Sequence, residues 1–394
     1  MATPRQLLPT FAYHSAEWFE REQQTVLGNS WTYVGVITDF QSPGDYAATR
    51  AGHHPLFVLL TDEGELRAYH NICRHRGTEL VEGSGNLGSA IVCPYHRWNY
   101  RHDGTLRGMP GRETCFPGLD TGAFGLHPAS VREFGGVVFV HPDPEPEPSF
   151  ETWLGPLADH CWPHDLRALV PGEPITYEIK CNWKVYFENA VDGYHLAYLH
   201  ENTLGGPLPW ENVWDHHGDH LVWYSTEIDG KKRPMTAHMT RGAEAQAFAK
   251  VEGIGDAPFG GVYMIFPTTI VSPKPYGIYI SQLVPLGPEL TLLHSRKWNL
   301  AGEAQDWASA EWDGALAARD PRSGRIKLEL LDKHPLETGA FRMEDMWICE
   351  KIQRAMHSPR FSVGALAAGE GAETPIMQFQ QSVLRAMEAS PPAS

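Results

Sequence analysis

The chain has 394 residues, long enough for two domains, and its 42% hydrophobic and 20% charged residues are those of a folded globular protein rather than a disordered one. A net charge of −16 argues against nucleic acid or an anionic membrane as partner, and no apolar run reaches the ~20 residues of a membrane span. The opening MATPRQLLPTF has no basic start followed by an apolar core, so no signal peptide is expected; six cysteines in no disulfide framework point to a reducing, cytoplasmic setting.

In chain order, residues 14–30 read as a helix carrying Trp18, Phe19 and Val26, stopped at Gly28 and Asn29. From 31 to about 140 the pattern is short strands (31–38, 55–61, 66–71, 91–95, 136–140) with tight turns at Asp62-Glu63-Gly64 and His102-Asp103-Gly104. These predict a small all-β domain over 41–141, preceded by a helical lead-in over 1–40. The run HPDPEPEPS at 141–149 alternates Pro with acid and reads as a stiff, solvated linker. Beyond it, 150–394 is predicted as an α+β domain. Its strands fall at 174–180, 220–228, 262–272, 276–286 and 289–298, in an antiparallel sheet. Its helices fall at 152–160, 301–320, 337–356 and 375–388, the last with an apolar stripe at 376, 379, 383, 384 and 387.

Two ligand pairs stand out in the β domain. Cys73-Arg74-His75 is followed, after seventeen residues, by Cys93-Pro94-Tyr95-His96. Each pair mixes a thiolate with an imidazole. That arrangement suits a Rieske [2Fe–2S] cluster, in which two Cys hold one iron and two His the other, raising the reduction potential. A structural zinc site is the alternative, but zinc fingers pair like ligands. The flanking text CRHRGTEL and CPYHRWNY is similar to Rieske proteins, with Trp98 and Tyr100 placed to wall the cluster from water. Cys115, Cys161, Cys181 and Cys349 read as small buried apolar residues. Gly83-Ser84-Gly85-Asn86-Leu87-Gly88 matches a dinucleotide fingerprint, but no βαβ unit surrounds it, so it reads as a flexible loop and not as an NAD(P)H site.

A second constellation lies at Asp192-x2-His195-x4-His200. On a regular helix starting near Asn182, Asp192 and His195 share a face, whereas His200 lies about 140° away from His195. The helix must therefore end or bulge between His195 and His200 if both imidazoles are to meet one metal. Two His and a carboxylate with open positions form the facial triad of non-haem Fe(II) oxygenases. Alone the His pair is weak evidence; beside a Rieske motif it reads as a ligand pair.

With ENAVDGYHLAYLH in view, the chain resembles, over nearly its full length, the oxygenase α-subunit of the Rieske non-haem iron ring-hydroxylating family. The resemblance implies a helix-grip (StAR-related lipid-transfer-like) second domain and iron ligands His195 and His200. It also implies a third ligand from a late acidic pair, here Asp345, with Glu344 as the second choice and Glu350 as a structural charge. By the same resemblance Asp192 bridges a cluster His of one subunit, His75, to His195 of the next. That implies a homotrimer, with or without β-subunits, fed by a separate ferredoxin or NAD(P)H reductase. The implied cofactors are the [2Fe–2S] cluster, mononuclear Fe(II) and O2 as cosubstrate. The aromatics of the second domain, among them Trp210, Trp223, Trp298, Phe341 and Trp347, suit a planar aromatic substrate, with Arg296, Lys297 or Arg342 available to an aromatic acid. The alternative substrate is a quaternary ammonium or other N-methyl compound, caged by cation–π contact.

Overall fold

A computed structural model describes residues 5–162, 164–203, 212–226, 232–233, 261–274, 277–299, 315–368 and 372–388. Trp210 and most of the helix expected at 301–320 lie outside the described residues. The chain divides into two compact units. One is Arg21–Trp153 with Met387–Ser394; the other is Met1–Glu20 with Leu154–Ala386. The expected lead-in over 1–40 is thus shared between the units. Its helix, Ala16–Thr25, begins where the Ser15 hydroxyl accepts the Trp18 N–H at 3.2 Å, a side-chain cap. The second boundary falls at 153/154, just past the exposed Pro-acid run. Phe150 and Trp153 belong to the first unit because their rings pack on Trp31, at 4.9 and 6.4 Å.

The first unit is built on a seven-stranded antiparallel sheet. Its strands are β1 (Thr32–Val36), β2 (Asp45–Ala51), β3 (His54–Leu60), β4 (Leu66–His70), β5 (Ser84–Asn86), β9 (Pro128–Phe134) and β10 (Val137–His141). Their order is β1-β10-β9-β4-β3-β2-β5. A separate three-stranded sheet joins β6 (Ile91–Val92), β7 (Asn99–Tyr100) and β8 (Leu106–Gly108). Both Asp/His-x-Gly turns form: Gly64 and Gly104 sit at φ 81° and 83°, a backbone region that side chains disfavour. The Gly-rich 83–88 segment differs from the loop expected there. It forms edge strand β5 on β2, because the Asn86 amide donates to Asp45 Oδ1 at 2.7 Å and locks the edge. Of the four cysteines read as buried, only Cys181 and Cys349 are; Cys115 is exposed on the short helix Arg112–Cys115, and Cys161 is half-buried.

The second unit is α+β. Among the described residues it holds a nine-stranded antiparallel sheet. Its strands are β11 (Val170–Pro171), β12 (Ile175–Ile179), β13 (Asn212–His217), β14 (His220–Thr226), β15 (Lys232–Arg233), β16 (Val262–Ile265), β17 (Thr269–Lys274), β18 (Gly277–Gly287) and β19 (Leu290–Asn299). The one long strand expected at 262–272 is instead a hairpin: β16 and β17 pair with each other, Tyr263 opposite Val271. Both arms are buried, and the chain reverses at Phe266-Pro267-Thr268, where Pro267 interrupts what otherwise reads as one apolar segment. Three helices pack with the sheet: Trp183–Ala190, Phe341–Met356 and Thr374–Glu388. In the last, Ile376, Phe379, Val383 and Met387 are buried as the stripe predicts, and Phe379 stacks on Phe187 with centroids 4.1 Å apart. No helix among the described residues is long and apolar enough to cross a membrane.

Candidate metal centres

The two Cys/His pairs occupy two loops with the same backbone plan. In the loop after β4, the Cys73 N–H donates to Thr78 O at 2.8 Å and the Cys73 carbonyl accepts the Gly77 N–H at 2.9 Å. In the loop between β6 and β7, the Cys93 N–H donates to Trp98 O at 2.8 Å and its carbonyl accepts the Arg97 N–H at 3.1 Å. The residue closing each turn is left-handed, Gly77 at φ 76° and Arg97 at φ 61°. A non-glycine there is uncommon and costs on the order of 1 kcal/mol. The loop therefore tolerates strain to repeat the geometry of its mate.

Both sulfurs are buried, while His75 and His96 are half-buried with ring centroids 4.8 Å apart. Trp98 stacks flat on His75 at 4.8 Å, and Phe116 meets both rings edge-on. Burial, then the neighbouring His96 and Arg76, hold the His75 imidazole below its ordinary pKa, in the neutral form that binds metal. Its buried Nδ1 has no hydrogen-bond partner. Burial pushes the Cys73 thiol up, and Cys93 close by pushes the same way. Two buried sulfurs side by side and an orphaned imidazole nitrogen are the donor set that a [2Fe–2S] cluster satisfies.

Tyr100 does more than wall the site. Its oxygen accepts the Arg74 N–H at 3.0 Å and lies 3.3 Å from Cys73 Sγ. Where Cys73 is a metal-bound thiolate it carries no proton, so in that state the hydroxyl is the donor to the sulfur. This contact joins positions 27 residues apart, and spacing alone does not reveal it.

The second centre is assembled from the helix Phe341–Met356 and a broken helix at 183–200. The helix Trp183–Ala190 starts at Asn182, whose side chain accepts the Lys184 N–H at 3.1 Å. It stops before Asp192, so Asp192 does not share a helical face with His195 as the regular helix would have it. Asp192 Oδ1 instead accepts the N–H groups of Tyr194, at 2.6 Å, and His195, at 3.3 Å, turning the chain. One helical turn, Leu196–Leu199, follows, with His195 at its start and His200 at its end. The chain thus breaks ahead of His195, which the spacing did not call for, while the single turn ends at Leu199 and leaves His200 at its C-cap, an end between the two imidazoles as the five-residue spacing required.

His195, His200 and Asp345 converge, their donor atoms all within 4.8 Å of one another. The two Nε2 atoms are 3.2 Å apart; Asp345 Oδ1 lies 3.1 Å from His200 Nε2 and 3.6 Å from His195 Nε2. At the opposite nitrogens, Asp192 Oδ2 lies 3.2 Å from His195 Nδ1, in charge contact but off hydrogen-bond line, and Glu344 Oε2 lies 2.6 Å from His200 Nδ1. With the Nδ1 protons facing those carboxylates, both Nε2 lone pairs point at each other and at Asp345. A cation at the centre relieves that arrangement in place of protons on the two Nε2 atoms, so the residues fit a mononuclear metal. Burial lowers the pKa of each imidazole, but Asp192 and Asp345 raise His195 to about 10, and Asp345 and Glu344 raise His200 to about 9. Burial pushes the Asp345 carboxyl up, yet His200 and His195 hold it well below the usual carboxylate range. Two imidazoles and a carboxylate leave coordination positions open.

Asn189 joins the site unforeseen: its Nδ2 donates to Asp345 Oδ1 at 2.9 Å. Glu350 is a buried structural charge, accepting the Lys180 N–H at 3.1 Å. Phe341 meets the His200 ring edge-on at 6.0 Å, and the Arg342 guanidinium lies over Phe341 and Tyr177. Trp223 and Trp298 are core residues, 1% and 0% exposed. Arg296 donates to Gly172 O at 3.1 Å and lies over the Trp298 ring.

Comparison with known proteins agrees with both centres. Residues 30–124 match the family profile of the Rieske [2Fe-2S] domain, and residues 166–389 that of the ring hydroxylating alpha subunit (catalytic domain). The glycine betaine monooxygenase oxygenase subunit of Chromohalobacter salexigens is 25% identical over 78% of this chain and 75% of its own length. The large oxygenase component of the naphthalene 1,2-dioxygenase system of Pseudomonas aeruginosa is 31% identical over 48% of this chain and 43% of its own. The crystal structure of the quaternary ammonium Rieske monooxygenase CntA with L-carnitine superposes with a TM-score of 0.74 at 21% identity, covering 98% of this chain and 96% of that one.

Proposed function

The chain belongs to the ring-hydroxylating alpha-subunit family of Rieske non-haem iron oxygenases, and from that premise we propose that it hydroxylates a quaternary ammonium or other N-methyl compound. Its cofactors are a Rieske [2Fe–2S] cluster and a mononuclear iron, and as an oxygenase subunit it draws electrons from a separate reductase. The observation that carries the substrate class is the reach of the likeness. The betaine enzyme aligns over three-quarters of both chains, the naphthalene enzyme over less than half. The aromatic substrate first expected is therefore the second reading, kept because the naphthalene enzyme matches at 31% identity over about half of the chain.

In this reading Cys73 and Cys93 hold one cluster iron, and His75 and His96 the other. His195, His200 and Asp345 hold the mononuclear iron, which supplies dioxygen activation when bound. Asp192 orients His195 and forms the bridge to a cluster imidazole of a neighbouring subunit in a homotrimer. One oxygen atom enters a substrate C–H bond. The other leaves as water, with two electrons from the reductase and two protons. On an N-methyl group the resulting N-hydroxymethyl cation loses its hydroxyl proton to water as the C–N bond breaks, releasing formaldehyde and a tertiary amine.

The test is oxygen uptake by the oxygenase with a reductase, against glycine betaine, carnitine and other betaines, and against benzoate and naphthalene. Substrate-dependent uptake with formaldehyde or a hydroxylated betaine as product is the expected result. Turnover confined to the aromatic compounds overturns this reading in favour of the second.

A further inference from the structure

We propose that Glu344 is a positioning residue for the mononuclear iron, holding His200 in the tautomer and ring orientation that ligation requires; the inference rests on the assignment of His200 and Asp345 as ligands. Glu344 and Asp345 are consecutive on the helix Phe341–Met356, so their side chains leave it about 100° apart. That divergence lets them grip one imidazole from both sides. Glu344 Oε2 meets His200 Nδ1 at 2.6 Å, and Asp345 Oδ1 meets His200 Nε2 at 3.1 Å. Choosing between two neighbouring acids as third ligand thus has a second half: the one not chosen serves the other nitrogen of the same ring.

Three observations make Glu344 a holder rather than a bystander. It is 1% exposed, and a carboxylate is buried that deeply only with partners to satisfy it. Oε2 accepts the Thr203 hydroxyl at 2.7 Å as well as facing His200 Nδ1. Thr203 lies three residues past His200, and its N–H donates to the His200 main-chain carbonyl at 3.0 Å, so the turn that carries His200 also brings the Thr203 hydroxyl to Glu344. His195 is held more loosely: its carboxylate Asp192 is 16% exposed and also serves two backbone N–H groups. Carboxylates behind metal-bound imidazoles fix the ring and raise its basicity.

The experiment compares wild type, Glu344→Gln and Glu344→Leu, each with its visible cluster spectrum and circular dichroism checked for folding. Ferrous iron retention is measured against a chelator. The nitric oxide adduct of the ferrous site is followed by electron paramagnetic resonance with the cluster oxidised. Retention is expected to fall about 10- to 100-fold in Glu344→Leu and less in Glu344→Gln, whose amide oxygen still accepts the Nδ1 proton without the charge. The rhombicity of the nitrosyl signal should shift in the same order. If Glu344→Leu does not fold, Glu344→Gln decides: retention and signal equal to wild type overturn the proposal. His200→Ala and Asp345→Ala test the ligand assignment separately. If these keep wild-type iron, the assignment fails; if they lose iron while both Glu344 variants keep it, only the role of Glu344 fails.

Discussion

At the scale of single residues, both centres are arrangements in which each donor is aimed by a neighbour. The imidazoles of His195 and His200 face carboxylates at one nitrogen and each other at the second. In the first unit the equivalent neighbour is Tyr100, whose hydroxyl is the donor to Cys73 Sγ when that sulfur is a metal-bound thiolate. A hydrogen bond to a cluster sulfur stabilises the more negative, reduced state. Tyr100→Phe should therefore lower the reduction potential of the cluster while keeping its spectrum, as read by redox titration followed in visible circular dichroism. An unchanged potential would show that the hydroxyl does not act on the sulfur. Cys73, His75, Cys93, His96, His195 and His200 were legible in the sequence, because metal spacing within one loop is local information. Tyr100, Asn189 and the use made of Glu344 were not, since each acts on a partner at least 26 residues away.

At the scale of elements, the helix Trp183–Ala190 supports the iron site from one side and the N-terminal segment from the other. Asn189, at its end, donates to Asp345. Glu188, one position earlier, turns away to accept the Tyr13 hydroxyl at 2.6 Å and the Gln380 amide at 2.9 Å. Burial drives the Glu188 carboxyl up to about 7, against the opposing pull of Tyr13, Gln380 and Lys184. Because the folded state holds this proton more tightly than the unfolded chain, the stability is fully present below about pH 4.5 and is lost as pH rises through 7. The loss is at most about 3 kcal/mol. Glu188→Gln should flatten the fall in urea midpoint between pH 5 and pH 8, and a variant with the wild-type slope would count against it. Among the elements, the long antiparallel strands and the 341–356 and 375–388 helices follow directly from periodicity. The hairpin at 262–274 and the end of the helix before Asp192 do not. A turn only three residues long between two buried arms is easily read as part of one strand, and an Asp that caps a turn looks the same in sequence as one on a helix face.

At the scale of the whole molecule, the sequence carries two centres in two compact units, with no nicotinamide site recognisable in the motifs. Electron transfer from the cluster of one subunit to the iron of its neighbour, the route implied by Asp192, makes a prediction for mixed assemblies. Subunits lacking the cluster ligand Cys73 and subunits lacking Asp345 should each be inactive alone. Mixed in one trimer, each supplies the centre the other lacks, and turnover should return in part. Light scattering establishes the oligomer. A mixed assembly no more active than its parents would sink the inter-subunit route.

The sequence by itself determined the metals, the reaction class and the order of the two domains. Ligand type and spacing along a short loop are covalent facts, and the alternation of apolar residues reports which face of each element is buried. Only the tertiary structure decided how the two late carboxylates divide their work and how Asp192 sits between a turn and an imidazole. It also decided which hydroxyl reaches the cluster sulfur. Those are contacts between residues far apart in the chain, created when the helix Phe341–Met356 meets the broken helix at 183–200 and when β7 meets the Cys73 loop, and no local pattern encodes the distance at which two elements will stop.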